Sequence, residues 1–111
     1  MDSFDVVISP KALRQLDSYI DYIQNTLLND QAAREVWADA LETRARLAEV
    51  AGSLSLCEHP LLNQLGYRVI RFARHRYVML YRVEGGTAYV DAVYHELQDY
   101  ENTFSKRTDQ V

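Results

Sequence analysis

The chain has 111 residues, enough for one compact domain and a single layered core. Apolar residues make up 48% of it and charged residues 25%, and eight Tyr, three Phe and one Trp supply the buried surface that a disordered chain lacks. Sixteen acids against twelve bases give a net charge of −4, which excludes coating of nucleic acid by bulk charge, and the single Cys57 excludes an internal disulfide.

The opening Met1-Asp2-Ser3-Phe4-Asp5 carries acids where a signal peptide needs bases, and no apolar run approaches ~20 residues. A soluble, cytoplasmic domain with no membrane partner is expected. Phe4, Val6 and Ile8 alternate, which predicts a half-buried strand. Ser9-Pro10 reads as a helix start, because Ser caps free amides and Pro loses nothing at the first helical position. Leu13, Leu16, Ile20, Ile23 and Leu27 then recur at steps of three and four and predict a helix over 10–28.

Asn29-Asp30 breaks the pattern and offers a second cap. A second stripe of Ala33, Val36, Trp37, Ala40, Leu41, Arg44, Leu47 and Ala48 runs to Gly52, read as a left-handed C-cap. The short connection makes the helices an antiparallel hairpin, with Trp37 and both stripes assigned to the core. Residues 53–66 read as a loop with one helical turn. Three strands follow, Tyr67–Phe72, Tyr77–Val83 and Ala88–Tyr94, joined at Ala73–Arg76 and at the hairpin turn Glu84-Gly85-Gly86-Thr87. Asp99–Lys106 suits a short helix before a polar end expected to fray. The fold class is α+β: a strand, a helical hairpin, then a three-stranded antiparallel meander laid on the helices.

Pairing Phe72 with Tyr77 and Val83 with Ala88 sorts the sheet into two faces. Ile70, Phe72, Tyr77, Met79, Tyr81, Val83, Ala88, Val90, Ala92 and Tyr94, with Arg68 near the edge, form the face for the helices. Tyr67, Val69, Arg71, Val78, Leu80, Arg82, Tyr89, Asp91, Val93 and His95 form a mixed face for solvent or a partner. No acid lies between His59 and Val83, yet Arg68, Arg71, Arg74, Arg76 and Arg82 do, a locally basic sheet that suits either an anionic partner or a solvated face whose charges discourage edge-to-edge pairing. Cys57 and His59 have no companion pair at metal-ligand spacing, so no metal or other cofactor is expected. His75, between Arg74 and Arg76, reads as a solvated turn residue.

In order and spacing, four segments resemble the RelE/ParE superfamily, toxins of type II toxin–antitoxin modules. They are Val7-Ile8-Ser9-Pro10-Lys11-Ala12 with Leu16 and Tyr19-Ile20; Leu65-Gly66-Tyr67-Arg68; Tyr77-Val78-Met79-Leu80-Tyr81-Arg82-Val83; and Val93-Tyr94-His95-Glu96-Leu97-Gln98-Asp99-Tyr100. The resemblance implies a toxin held by a cognate antitoxin, as a homodimer or in a hetero-oligomer with that antitoxin. Arg68, Arg71, Arg76 and Arg82 are its candidate contacts to antitoxin or target. Two mechanisms divide the superfamily. In the RelE branch a ribosome-dependent endoribonuclease cleaves mRNA, and His95, Tyr94 and Arg82 would be catalytic here, with Glu58 or His59 near a further acid position. In the ParE and plasmid-stabilisation branch the target is DNA gyrase and nothing is cleaved; a degenerate member that still pairs with its partner but attacks no target is the further alternative. Val78 stands where the nuclease branch carries arginine, Arg76 lies two positions early, and the only lysines are Lys11 and Lys106. The His95-x-x-x-Asp99 ending resembles the ParE branch, which is therefore preferred. A structural role for His95, bonded to Asp99 or to backbone, accompanies that preference.

Overall fold

A computed structural model describes residues 3–109, with side chains from Ser3 to Arg107. Met1-Asp2 of the acidic start and Gln110-Val111 of the end expected to fray lie outside the described residues, while the helix expected to stop at Lys106 continues to Asp109. Strand β1 (Asp5–Ile8) leads into helix α1 (Pro10–Asp21), a π-helical turn (Tyr22–Thr26) and helix α2 (Asp30–Val50). After helix α3 (Pro60–Gln64) come β2 (Arg68–Arg71), β3 (Tyr77–Glu84), β4 (Thr87–His95) and helix α4 (Tyr100–Asp109). The expected α+β order holds throughout, and α3 is the single turn anticipated within 53–66.

The caps follow from the sequence. Ser9 Oγ accepts from Ala12 N at 3.0 Å with Pro10 in the first turn, and Asn29 Oδ1 accepts from Ala32 N at 3.0 Å to start α2. Between them the first helix does not run on regularly to 28. Leu27 N donates to Tyr22 O at 3.0 Å, five residues back, and this wider turn rotates Leu27 out of the apolar stripe into solvent. Leu28 then closes the turn with φ 53, a left-handed conformation that costs a side chain with a Cβ about 1–2 kcal/mol. Gly52 departs from expectation in the opposite sense. It is not left-handed, because α2 ends on right-handed Ala51; a Cβ at Gly52 would lie 3.1 Å from the Phe4 ring, so close approach is what Gly permits there.

The sheet has four strands in the order β1-β4-β3-β2. β1 joins the meander as a fourth strand, parallel to β4, with Val6 opposite Ala88 and Ile8 opposite Val90. The hairpin registers are those expected: Ile70 opposite Met79, and Val83 opposite Ala88. At Asp91 the register slips by one, since Tyr81 faces Val90 while Leu80 faces Ala92. This β-bulge turns over every later residue of β4. Ala92 and Tyr94 therefore leave the helix-facing side assigned to them, and Val93 enters it. Gln15 Oε1 of α1 accepts from the Val93 amide at 2.9 Å and so fixes α1 over the bulge.

Each sheet face carries a core. The α1–α2 side buries Leu16, Val36, Ala40, Leu47, Ile70, Phe72, Met79, Tyr81, Val90 and Val93. Tyr81 is fully buried, and its hydroxyl donates to Ala51 O at 2.8 Å, tying the middle strand to the end of α2. The other face does not stand open to solvent as expected. α3 and α4 cover it, burying Cys57, Leu62, Tyr67, Val78, Leu80, Ala92, Tyr94 and Phe104 in a second core. The Tyr67 and Phe104 rings meet edge to face at 5.0 Å. Trp37 is 43% exposed, and Leu13 and Leu41 are also exposed, so the helical stripes are only partly core. α2 turns Ala33, Val36, Ala40, Thr43 and Leu47 inward and leaves Trp37 and Leu41 along its flank.

Candidate functional site

Four of the five arginines that suggested a basic sheet are matched by acids once the chain folds. Arg71 meets Glu96 at 3.0 Å, Arg76 approaches the same carboxylate at 3.7 Å, and Arg74 meets Glu42 at 3.0 Å. Arg82 bridges Glu84 at 2.6 Å and Asp91 at 3.1 Å, and these two carboxylates hold its pKa above the ordinary value. Arg68 donates to Leu54 O and Arg46 to Arg71 O. Arg71, Arg74 and Arg76 remain exposed, but as halves of ion pairs. Tyr67 donates to Asp91 at 2.7 Å, and burial together with that bond pushes its phenol up to about 12. Lys11 lies 5.1 Å from the Phe104 ring centroid, and burial lowers its pKa with help from Arg107.

The residues named for cleavage do not converge. Tyr94 and His95 are successive on β4 and point to opposite faces. Tyr94 is buried beneath α4 and its hydroxyl has no hydrogen-bond partner among the described residues. His95 stacks edge-on against Tyr77 at 5.3 Å, and its Nδ1 accepts from Leu97 N at 3.1 Å. The backbone-bonded role expected for His95 is present, whereas Asp99 instead accepts from Asn102 at 2.8 Å. A turn separates β4 from α4 and breaks the helical spacing that would join His95 to Asp99. Arg82 lies about 13 Å along β3 from Val78, the partner of Tyr94. His59 caps α3, its Nδ1 accepting from Leu61 N at 3.2 Å and its amide donating to Glu101 at 2.9 Å. Glu58, His59, Asp99 and Glu101 line an open cavity of about 450 Å³. Burial pushes the nearby Cys57 thiol up to about 12, with the Glu101 charge adding to it, so it is no nucleophile at neutral pH.

One surface has the features of a protein-binding groove. Phe4, Val6, Leu41, Ala45 and Ala48 line a cavity of about 350 Å³ between β1 and α2, with Asp5 and Arg44 at its rim. β1 is an edge strand, and its Asp5 and Ser9 amides already donate into the β4 side, to Gly86 O and Val90 O. By alternation, the backbone groups of Val6 and Ile8 face outward. Arg44, unlike Arg71, Arg74, Arg76 and Arg82, has no ion-pair partner among the described residues.

A family model described as ParE toxin of type II toxin-antitoxin system, parDE, matches residues 6–100. The chain belongs to the ParE toxin family. It is thus the toxin component of a ParDE-type system, which implies a cognate antitoxin as partner. Among solved structures, a chain of the chromosomal ParDE TA system from P. aeruginosa is similar in fold, with a TM-score of 0.69 and 22% identity over 84% of this chain and 96% of that one. No curated protein matches the sequence. The expected superfamily, and the ParE branch within it, are those found.

Two residues of this ParE chain escaped sequence reasoning. Asp39, on the inward side of α2, is fully buried and accepts from Ala73 N at 3.1 Å, Arg74 N at 2.9 Å and His75 Nδ1 at 2.8 Å. Burial alone would raise its pKa, but these bonds from His75 and the turn amides bring it below the ordinary value. His75 is accordingly a clamp on α2 rather than a solvated turn residue. The available signal was a carboxylate set among Val36, Ala40, Thr43 and Leu47 at helical spacing. No helix among the described residues is long and apolar enough to cross a membrane.

Proposed function

We propose that this ParE-family toxin arrests bacterial growth by binding and inhibiting DNA gyrase, without catalysing a reaction, and that its antitoxin neutralises it from the groove along β1. The observation that carries the non-catalytic reading is the dispersal of Arg82, Tyr94 and His95: one is held by two carboxylates, one is buried under α4, and one faces the other side of the sheet. A cleavage site needs base, acid and cation within reach of one phosphate, and these three lack a common space. The outward backbone of β1, the apolar floor and the unmatched Arg44 suit an extended acidic segment added as a strand.

The test is a pulse-label time course after controlled expression, following thymidine and methionine incorporation together, with gyrase supercoiling measured in parallel. Thymidine incorporation is expected to fall first, the toxin to block supercoiling, and the antitoxin to restore it. His95→Ala should arrest growth as the wild type does. Methionine incorporation falling first, with arrest abolished in a folded His95→Ala chain, would establish mRNA cleavage instead.

A further inference from the structure

We infer that the tip of the α1–α2 hairpin docks into an apolar pocket with a basic rim on a nucleic-acid-handling protein. The inference rests on the toxin reading above and assigns that toxin its target contact. At the tip, Leu28 is 81% exposed, Leu27 56% and Tyr22 55%, an apolar cluster built from the π-helical turn and its exit. Neither conformation is the economical one. A helix normally closes on Gly or Asn in the left-handed region, and a regular last turn would have returned Leu27 to the core stripe. The chain instead holds Leu28 at φ 53 and directs both leucines outward, where they gain little from the fold itself. Strain combined with apolar exposure is what a protein-binding tip requires and a mere connector does not.

Charge selects the partner. From Asp17 to Glu35 the hairpin carries Asp17, Asp21, Asp30 and Glu35 against the single base Arg34. None of these acids forms an ion pair among the described residues, whereas Glu42, Glu84, Asp91 and Glu96 elsewhere are all matched to arginines. An uncompensated acidic rim repels phosphate, so the tip is unsuited to DNA or RNA. It complements a protein whose surface is basic because it holds nucleic acid. Complementary charge would steer encounter, and the leucines would supply the desolvated anchor. The β1 groove is lined by residues 4–6 and by α2 residues between 41 and 48, and does not include the tip.

The decisive variant is Leu27→Ser/Leu28→Asn, since Asn adopts the left-handed conformation readily. It should melt no lower than wild type and bind antitoxin with unchanged Kd. At least about tenfold more protein should be needed for half-inhibition of gyrase supercoiling. Asp21→Lys should weaken inhibition several-fold, and wild-type inhibition should decline as salt is raised. A double variant that inhibits like wild type overturns the proposal. So does one that loses inhibition together with thermal stability or antitoxin affinity, which would give the leucines a structural role. If the wild type leaves gyrase untouched, the gyrase reading fails alone, and the variants are compared by growth arrest: unchanged arrest overturns the tip, and lost arrest in a stable chain supports it. A wild type that arrests nothing overturns both.

Discussion

The Asp39 carboxylate, removed from water, is held by two turn amides and one imidazole, and so decides how the β2–β3 turn sits on α2. Asp39→Asn keeps the shape but loses the charge that those donors favour, and should cost about 2–4 kcal/mol at neutral pH in urea unfolding. Because the folded pKa lies below the ordinary 3.8, the stabilisation is present above that value and fades as pH falls through the folded one. The difference between wild type and Asp39→Asn should therefore shrink below about pH 4. At the alkaline end Tyr81, raised to about 12 chiefly by burial, acts in the reverse sense. Its contribution is complete below its ordinary 10.0 and is lost as pH climbs toward its folded value, so Tyr81→Phe should flatten stability between those limits. The helical spacing marked Asp39 as an inward carboxylate, but its partners were not readable, because they lie 34–36 residues away. Caps are local, and Ser9 and Asn29 were legible for that reason.

Among the elements, order and the two hairpin pairings were legible, whereas the parallel pairing of β1 with β4 and single-residue insertions were not. Alternation placed the β2–β3 and β3–β4 turns correctly, but the period carried no mark of the extra residue at Asp91, beyond which Ala92, Val93 and Tyr94 change sides. The π-helical turn is the helical counterpart, displacing Leu27 as the bulge displaces Tyr94. Gln15→Ala leaves the Val93 amide without its acceptor and should cost about 1–3 kcal/mol, readable as a lower denaturant midpoint at unchanged slope. α4 is polar along most of its length and is held mainly through Phe104 and Ser105, with Tyr100 partly buried. Phe104→Ala should loosen it while the α1–α2 core persists. The reporter is Cys57, the only cysteine, buried in the same core as Phe104: inert to a thiol reagent in the wild type, it should react at least about tenfold faster in the variant.

For the whole molecule, the linear charge pattern pointed to a basic sheet, and folding cancels most of it because the matching acids come from distant segments. Glu42 reaches Arg74 from α2, and Glu96 reaches both Arg71 and Arg76 from the end of β4. The candidate binding role of Arg68, Arg71, Arg76 and Arg82 is consequently a modest one in our proposal, and Arg44 is the cation we expect to matter. By calorimetry, Arg44→Ala should weaken antitoxin binding about tenfold, and Arg71→Ala/Arg76→Ala less than about threefold. Equal effects would return the antitoxin to the sheet edge. The family was legible in the sequence because it resides in element order and short segments; the site was harder, because it depends on which charges remain unmatched after folding.

The parallel pairing of β1 with β4 bears on how the protein is born. Residues 5–8 leave the ribosome well before residues 87–90, with which they pair. The hairpin of α1 and α2 can form from local contacts while synthesis continues, but the sheet it rests on cannot close until β4 is made. A nascent chain therefore exposes the outward groups of β1, and the apolar flank of α2, before any complete toxin exists. If the antitoxin seats on that flank, it can take hold of a half-made molecule, and neutralisation need never wait for the poison to be finished.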